Sequence, residues 1–200
     1  MKGSIIIVSF FAIGVLLSFY GFIPEFLVEN DFSIYVLMAL MFCVGITIGS
    51  DSRIVSAVRE YGFKILTLPV ATVLGTLVAM VVASTIFTQY SIWDCMAVGS
   101  GFGYYSLSSI VITEYKGAEL GTIALMSNVI REILTLLFAP FIVVAFGKLA
   151  PIAAGGATTA DTTLPIISKV SGKEFVIVAI VHGISVDLSV IILVPFFCGL

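Results

Sequence analysis

Long apolar runs, separated by short polar turns, follow one another along this chain from end to end. Residues 4–23, 32–49 and 65–87 are each long enough to cross a hydrocarbon core of about 30 Å as a helix. Lys2 ahead of the first run suggests a signal peptide, but the run outlasts an h-region and no small-x-small site follows, so a retained helix is predicted. Residues 51–64 (DSRIVSAVREYGFK) predict a short interfacial helix in a cytoplasmic loop, with Ile54, Val55 and Val58 on one side. Pro69 lies near the start of the third run, where a proline costs a helix least. Tyr90 and Trp93 mark the next interface. Beyond them the pattern changes. Residues 95–113 and 151–168 are apolar but broken by glycine, and each precedes a long run, 119–146 and 174–197.

The second half of this pattern matches the first at an offset of 55 residues without a gap. Gly101 falls on Gly156, Gly117 on Gly172, Glu119 on Glu174, Ala124 on Ala179, Pro140 on Pro195 and Phe141 on Phe196. The same offset carries Glu132 onto Asp187, each an acid near the middle of its run. Two hydrophobic helices match cheaply at Leu, Ile and Val; the coincidence of glycine, proline and acid favours an internal repeat. Copy 1 is residues 95–146 and copy 2 residues 151–197 of one membrane domain, 1–200, with two spans in 5–50, the loop at 51–64 and a span at 65–87 ahead of them. The fold predicted is an all-α polytopic membrane protein of about seven transmembrane segments, two of them glycine-broken. With both broken segments crossing, Lys2, Arg53, Arg59, Lys64, Lys116, Lys169 and Lys173 share one side. That side is cytoplasmic by the positive-inside rule. The amino terminus is then inside, the carboxyl terminus outside, and the copies parallel.

Composition agrees: 60% of the 200 residues are hydrophobic, 10% charged, and the mean hydropathy is +1.23. Ordinary globular chains are about 25% charged. The net charge of −3 leaves no basic face for nucleic acid. Three scattered cysteines and a single histidine exclude a Cys/His zinc site and give no sign of a disulfide framework. No cofactor or metal is called for, and no nucleophile–base pair points to an enzyme. A cation channel would need oligomeric acid rings, and none is visible.

The candidate chemistry lies in the broken half. Arg131, Glu132, Asp161 and Asp187 sit where bulk water should be absent, and an ionised group at a helix centre costs roughly 2.5–3.5 kcal/mol. Glu132 and Asp187 are too central to snorkel. A carboxyl group poised between desolvation and a nearby cation can exchange a proton for a cationic substrate; the competing reading is a structural ion pair with Arg131. Arg131 and Glu132 are about 100° apart on a helix and do not easily pair with each other. Arg131 is therefore expected to reach Asp161, Asp187 or a substrate carboxylate. Asn128, one turn before Glu132, shares its face. His182 reads equally as a proton relay or as a neutral histidine satisfied by a helix carbonyl. Gly101 and Gly103, like Gly155 and Gly156, free backbone groups for binding. Tyr104, Tyr105, Ser106, Thr158, Thr159 and Thr162 offer a polar lining, though small residues also serve plain helix packing.

With SGFGYYSLSSIVITE (100–114), SNVIRE (127–132), GGATTADTTLP (155–165), VHG (181–183) and FCVGI (42–46), the chain resembles the LysO-type lysine exporter family. The resemblance covers about residues 32–200, and Ser109 replaces the glycine usual in the family's SLSG motif. It implies export of L-lysine and toxic lysine analogues from the bacterial cytoplasm, across the inner membrane, with proton exchange through intramembrane acids. The acid of the family's Arg-Glu pair corresponds to Glu132. The resemblance also implies a further amino-terminal stretch with another intramembrane Asp; a small separately encoded membrane subunit, or a homodimer, would complete the pathway. The alternative function is a membrane subunit of a split transporter, inactive alone.

Overall fold

The computed structural model describes residues 62–200 continuously and, before them, positions 13, 16, 17, 19–22, 35, 38, 39, 42, 43, 46 and 59. The spans expected at 4–23 and 32–49 and the helix expected at 51–64 fall mainly outside the described residues. The chain divides into two compact units, Met1–Leu40 and Met41–Leu200. In the first, a helical stretch ends where Tyr20 and Phe22 donate their N–H groups to the carbonyls of Leu16 and Leu17, both at 3.0 Å.

The second unit is all-helical over 62–200. A 3-10 turn at Phe63–Leu66 leads into α1 (Thr67–Ser84). Then come α2 (Ile92–Gly99), α3 (Tyr105–Lys116), α4 (Ala118–Phe146), α5 (Ala150–Gly155), α6 (Leu164–Ser171) and α7 (Val176–Cys198). Two more 3-10 segments, Gly156–Ala160 and Lys173–Phe175, follow α5 and precede α7. Among the described residues three helices are long and apolar enough to cross a membrane: Phe63–Ser84, Ala118–Phe146 and Lys173–Cys198. Of their most apolar stretches, 39% is buried in the third, against 17% and 11% in the others, so α7 is the enclosed one. Leu137, Phe141 and Val144 on α4 are exposed, a face suited to lipid rather than water.

This overturns the expectation of about seven crossings. The broken segments do not cross; each folds back on itself. Lys116, at the end of α3, places Nζ 3.3 Å from Asp94 Oδ1 at the start of α2. Tyr90, just before α2, donates its hydroxyl to Glu119 Oε1 at 2.7 Å. The pair α2–α3 therefore enters and leaves by one face. At the opposite end of α4, Lys148 Nζ lies 3.2 Å from Glu174 Oε1 and 5.5 Å from the Phe175 ring centre. The pair α5–α6, which lies between those residues in sequence, thus enters and leaves by the second face. Trp93 stacks on Phe197 with ring centres 6.2 Å apart, which puts the end of α7 back at the first face. The two hairpin-plus-span units consequently run antiparallel, not parallel as expected. In the 3-10 turn that leads into α1, Ile65 packs on Val181 with Ile177 and Val178, so this span starts at the second face beside α7.

Hydropathy registers which residues a segment contains and not which way it runs, so a buried apolar hairpin and a span look alike. The reversal is carried by backbone: Phe102 (φ 45) and Gly103 (φ 104) in the first hairpin, Gly156 (φ 62) in the second. Non-helical backbone survives at membrane depth only inside protein or beside water. Both turns meet that condition, with Phe102 fully buried and Gly101, Gly103 and Gly156 buried around it.

A capping box starts α2: Ser91 accepts from the Asp94 N–H at 3.1 Å, and Asp94 accepts from the Ser91 N–H at 3.1 Å. Burial opposes ionisation of Asp94, but the Ser91 hydroxyl and N–H, together with Lys116, hold its carboxyl below the ordinary carboxylate value. The folded state therefore binds this proton less readily than the unfolded chain. The cap's contribution is present above the ordinary value and lost as pH falls through the lowered one. Asp94→Asn should flatten that acidic part of the melting-temperature profile in detergent.

Candidate functional site

The two hairpin tips meet. The Ala157 N–H donates to the Phe102 carbonyl at 2.9 Å, linking tip to tip across a sequence separation of 55 residues. Gly156, left-handed at φ +62, lies so close that a Cβ would overlap the Phe102 carbonyl oxygen. Gly183 on α7 lets that helix close on the second tip, since a Cβ there would come 2.6 Å from the Ala160 nitrogen.

Beside this junction lies a cavity of about 180 Å³. It has room for several water molecules at about 30 Å³ each. Both tips, α4 and α7 contribute walls. Gly103, Tyr104, Tyr105 and Ser106 come from the first hairpin, and Ala157, Thr158, Asp161 and Thr162 from the second. Glu132 and Asp187 come from the long helices. The lining includes three pairs of residues 55 apart: Gly103 and Thr158, Ser106 and Asp161, Glu132 and Asp187. The lining thus holds three carboxyl groups and neither lysine nor arginine. Asp161 and Thr162 are exposed, whereas Glu132 and Asp187 are half-buried. Asp161 also accepts a short bond from the Thr162 N–H. Among the described residues, no three His, Cys, Asp or Glu groups are placed to hold a metal ion. The first turn of α3, with Tyr105 and Ser106, reaches the cavity without a side-chain cap, so the positive end of the helix lies at the lining.

The other residues singled out from sequence lie behind the walls. Asn128 is buried, accepts from the Gly103 N–H at 2.7 Å and donates to the Ala124 carbonyl at 2.8 Å. It braces the first tip rather than sharing the cavity face of Glu132. Gly101 is the close-approach point for that brace, since a Cβ there would lie 2.7 Å from Ser108 Oγ and closer still to Asn128 Nδ2. Arg131 does not reach Asp161 or Asp187. Its Nε donates to the Ala154 carbonyl at 2.8 Å and its Nη2 to the Ala153 carbonyl at 3.0 Å, at the end of α5.

His182 is fully buried between two hydroxyls, Thr72 Oγ1 at 2.9 Å from Nε2 and Thr159 Oγ1 at 3.2 Å from Nδ1. It ties α1, the second tip and α7 together. Nothing in the sequence marks Thr72, one hydroxyl in an apolar span 110 residues away, or Ala157, which has no polar atom beyond its backbone. Replacing His182 with Leu takes away the ring nitrogen bonded to the buried Thr72 hydroxyl, while Thr159 keeps the Gly156 and Ala179 carbonyls, and should cost about 1–3 kcal/mol, read as a lower melting temperature in detergent.

The family described as lysine exporter LysO matches residues 8–198. Lysine exporter LysO of Escherichia coli K12 is 31% identical over 195 residues, 96% of this chain and 62% of the relative. A Haemophilus influenzae protein, named provisionally as a lysine exporter, is 36% identical over 168 residues, 84% of this chain and 85% of the relative. The chain thus spans less than two thirds of the length of the Escherichia coli relative. No solved structure matches it. A match across nearly all of its length, through both hairpins and both acid-bearing helices, makes this chain a member of the lysine exporter LysO family of bacterial membrane proteins.

Proposed function

We propose that this chain exports L-lysine and related cationic amino acids across the bacterial cytoplasmic membrane in exchange for protons. The observation that carries the reading is the cavity at the hairpin junction, where Glu132, Asp187 and Asp161 converge with no basic residue in the lining. An unbalanced set of carboxylates at membrane depth is costly. An amino acid with two ammonium groups relieves that cost when bound, and protons relieve it when the substrate has left. Glu132 and Asp187 hold the ammonium groups or the exchanged protons, and Asp161 is the third acid at the exposed side. The substrate carboxylate docks on the uncapped first turn of α3, where Ser106 and Tyr104 offer hydroxyls. Gly103, Thr158 and Thr162 shape the remaining wall.

Two hairpins entering from opposite faces and meeting beside a binding cavity form an arrangement suited to alternating access. Lys64, Lys148, Lys169 and Lys173 mark the second face as cytoplasmic, and Lys116 lies at the other. The carboxyl terminus is then outside. With two spans expected ahead of α1, the amino terminus is inside.

The test is efflux of labelled L-lysine from bacteria deprived of their own exporter, carrying this chain alone or with a neighbouring small membrane protein. Efflux with the chain alone is expected. Efflux only with the neighbour means a split transporter, and none in either case, with the chain inserted and stable, rejects lysine.

A further inference from the structure

One helix holds both hairpins and also faces the cavity. On α4, Asn128 grips the first tip through the Gly103 N–H, Arg131 grips the second hairpin through two carbonyls, and Glu132 lines the cavity. Resting on the export reading above, we infer that Arg131 is a positioning residue that sets the second hairpin tip for transport and does not touch the substrate.

Three features argue this. First, α5 ends inside the protein, and its last carbonyls would be orphaned there. The guanidinium answers two of them at once, on the consecutive residues Ala153 and Ala154. Its planar fork suits two adjacent acceptors, which a lysine ammonium cannot match in the same geometry. Second, the positive charge sits at the negative pole of the helix. Third, Arg131 is tied to the turn itself: a Cβ on Gly156 would lie 3.3 Å from its Cζ. From Gly156 the 3-10 segment runs directly to Asp161, and its residues Ala157 and Thr158 line the cavity. The far side of that segment is pinned by Thr159, whose hydroxyl lies 2.9 Å from the Ala179 carbonyl and 3.2 Å from His182 Nδ1. Freeing the α5 end therefore leaves the tip held by Thr159 and by the Ala157–Phe102 bond alone, with nothing fixing the end from which the segment leading to Asp161 starts.

The experiment compares Arg131→Lys, Arg131→Gln and Arg131→Met in inside-out membrane vesicles, with L-lysine and its carboxylate-free analogue L-lysinamide as substrates. The positioning role predicts a fall in maximal rate of about 10-fold or more for Met, in keeping with unpaired carbonyls. It also predicts partial rescue by Gln and Lys, which still donate, and a half-saturating lysine concentration within about 2-fold of wild type. The preference for lysine over lysinamide stays as in the wild type in every variant. A selective rise in half-saturating lysine, with lysinamide untouched, makes Arg131 a carboxylate ligand and overturns the inference. If the wild type moves no lysine at all, the export reading fails, and Arg131 is still decided by hydrogen–deuterium exchange of the purified chain. Faster exchange confined to residues 153–163 in Arg131→Met supports the positioning role, and unchanged exchange there refutes it.

Discussion

Glu132→Gln is expected to abolish lysine efflux from a chain that still inserts and folds. The side chain lines the cavity at the centre of α4, and glutamine keeps its size and hydrogen-bonding reach while removing the charge. Breaking one partner of a buried charge pair costs about 3–5 kcal/mol, so the rate should drop by about 100-fold or more. Asp187→Asn, at the position 55 residues on in α7 and in the same lining, should act in the same direction. Glu119→Gln serves as the control. That acid lies on the same helix, but it is exposed and bonded to Tyr90 at the face, and its loss should leave efflux within about 2-fold. Efflux is to be normalised to the amount of protein in the membrane.

How far the sequence reaches is best judged at this helix. Glu132 and Asp187 are legible because an acid at the middle of an apolar run is rare and expensive, and the 55-residue offset pairs them. The glycine breaks are legible for the same reason of contrast, and so is the family. What the sequence conceals is direction. Whether a broken apolar segment crosses or returns depends on the backbone torsions of Phe102, Gly103 and Gly156, and hydropathy is blind to them. Once both segments return, the spans run antiparallel and the lysines redistribute between the faces. The roles of neighbours are concealed too. Asn128, Arg131 and Glu132 lie within five consecutive residues, and only their partners separate the two braces from the cavity residue. Arg131 adjoins an acid in sequence, and its nearest acceptors are carbonyls of a hairpin 22 and 23 residues on.

Gly156→Ala is the second large effect. Left-handed backbone at φ +62 costs a non-glycine residue about 1 kcal/mol or more. The larger penalty is steric, because the added methyl overlaps the Phe102 carbonyl oxygen at the point where the tips join. That oxygen accepts the Ala157 N–H, so the junction must open and a backbone hydrogen bond is lost with it. A fall in stability of about 3 kcal/mol or more is expected, together with loss of efflux. Gly117→Ala separates the two causes. Gly117 is equally left-handed, at φ +93, but a Cβ there meets nothing within 4 Å. Its cost should stay near 1 kcal/mol, with efflux preserved. Melting temperatures of the purified chains in detergent, beside efflux from cells, read both.

The account stands on the acidic cavity taking a doubly ammonium-bearing amino acid in exchange for protons. Purified chain in liposomes loaded with labelled L-lysine, with a pH-sensitive dye in the lumen, tests this directly. The prediction is lysine leaving as protons enter, inhibition by unlabelled lysine but not by norleucine, which lacks the side-chain ammonium, and no movement of either with Glu132→Gln. Lysine leaving without a pH change, or leaving equally well through Glu132→Gln, would contradict it.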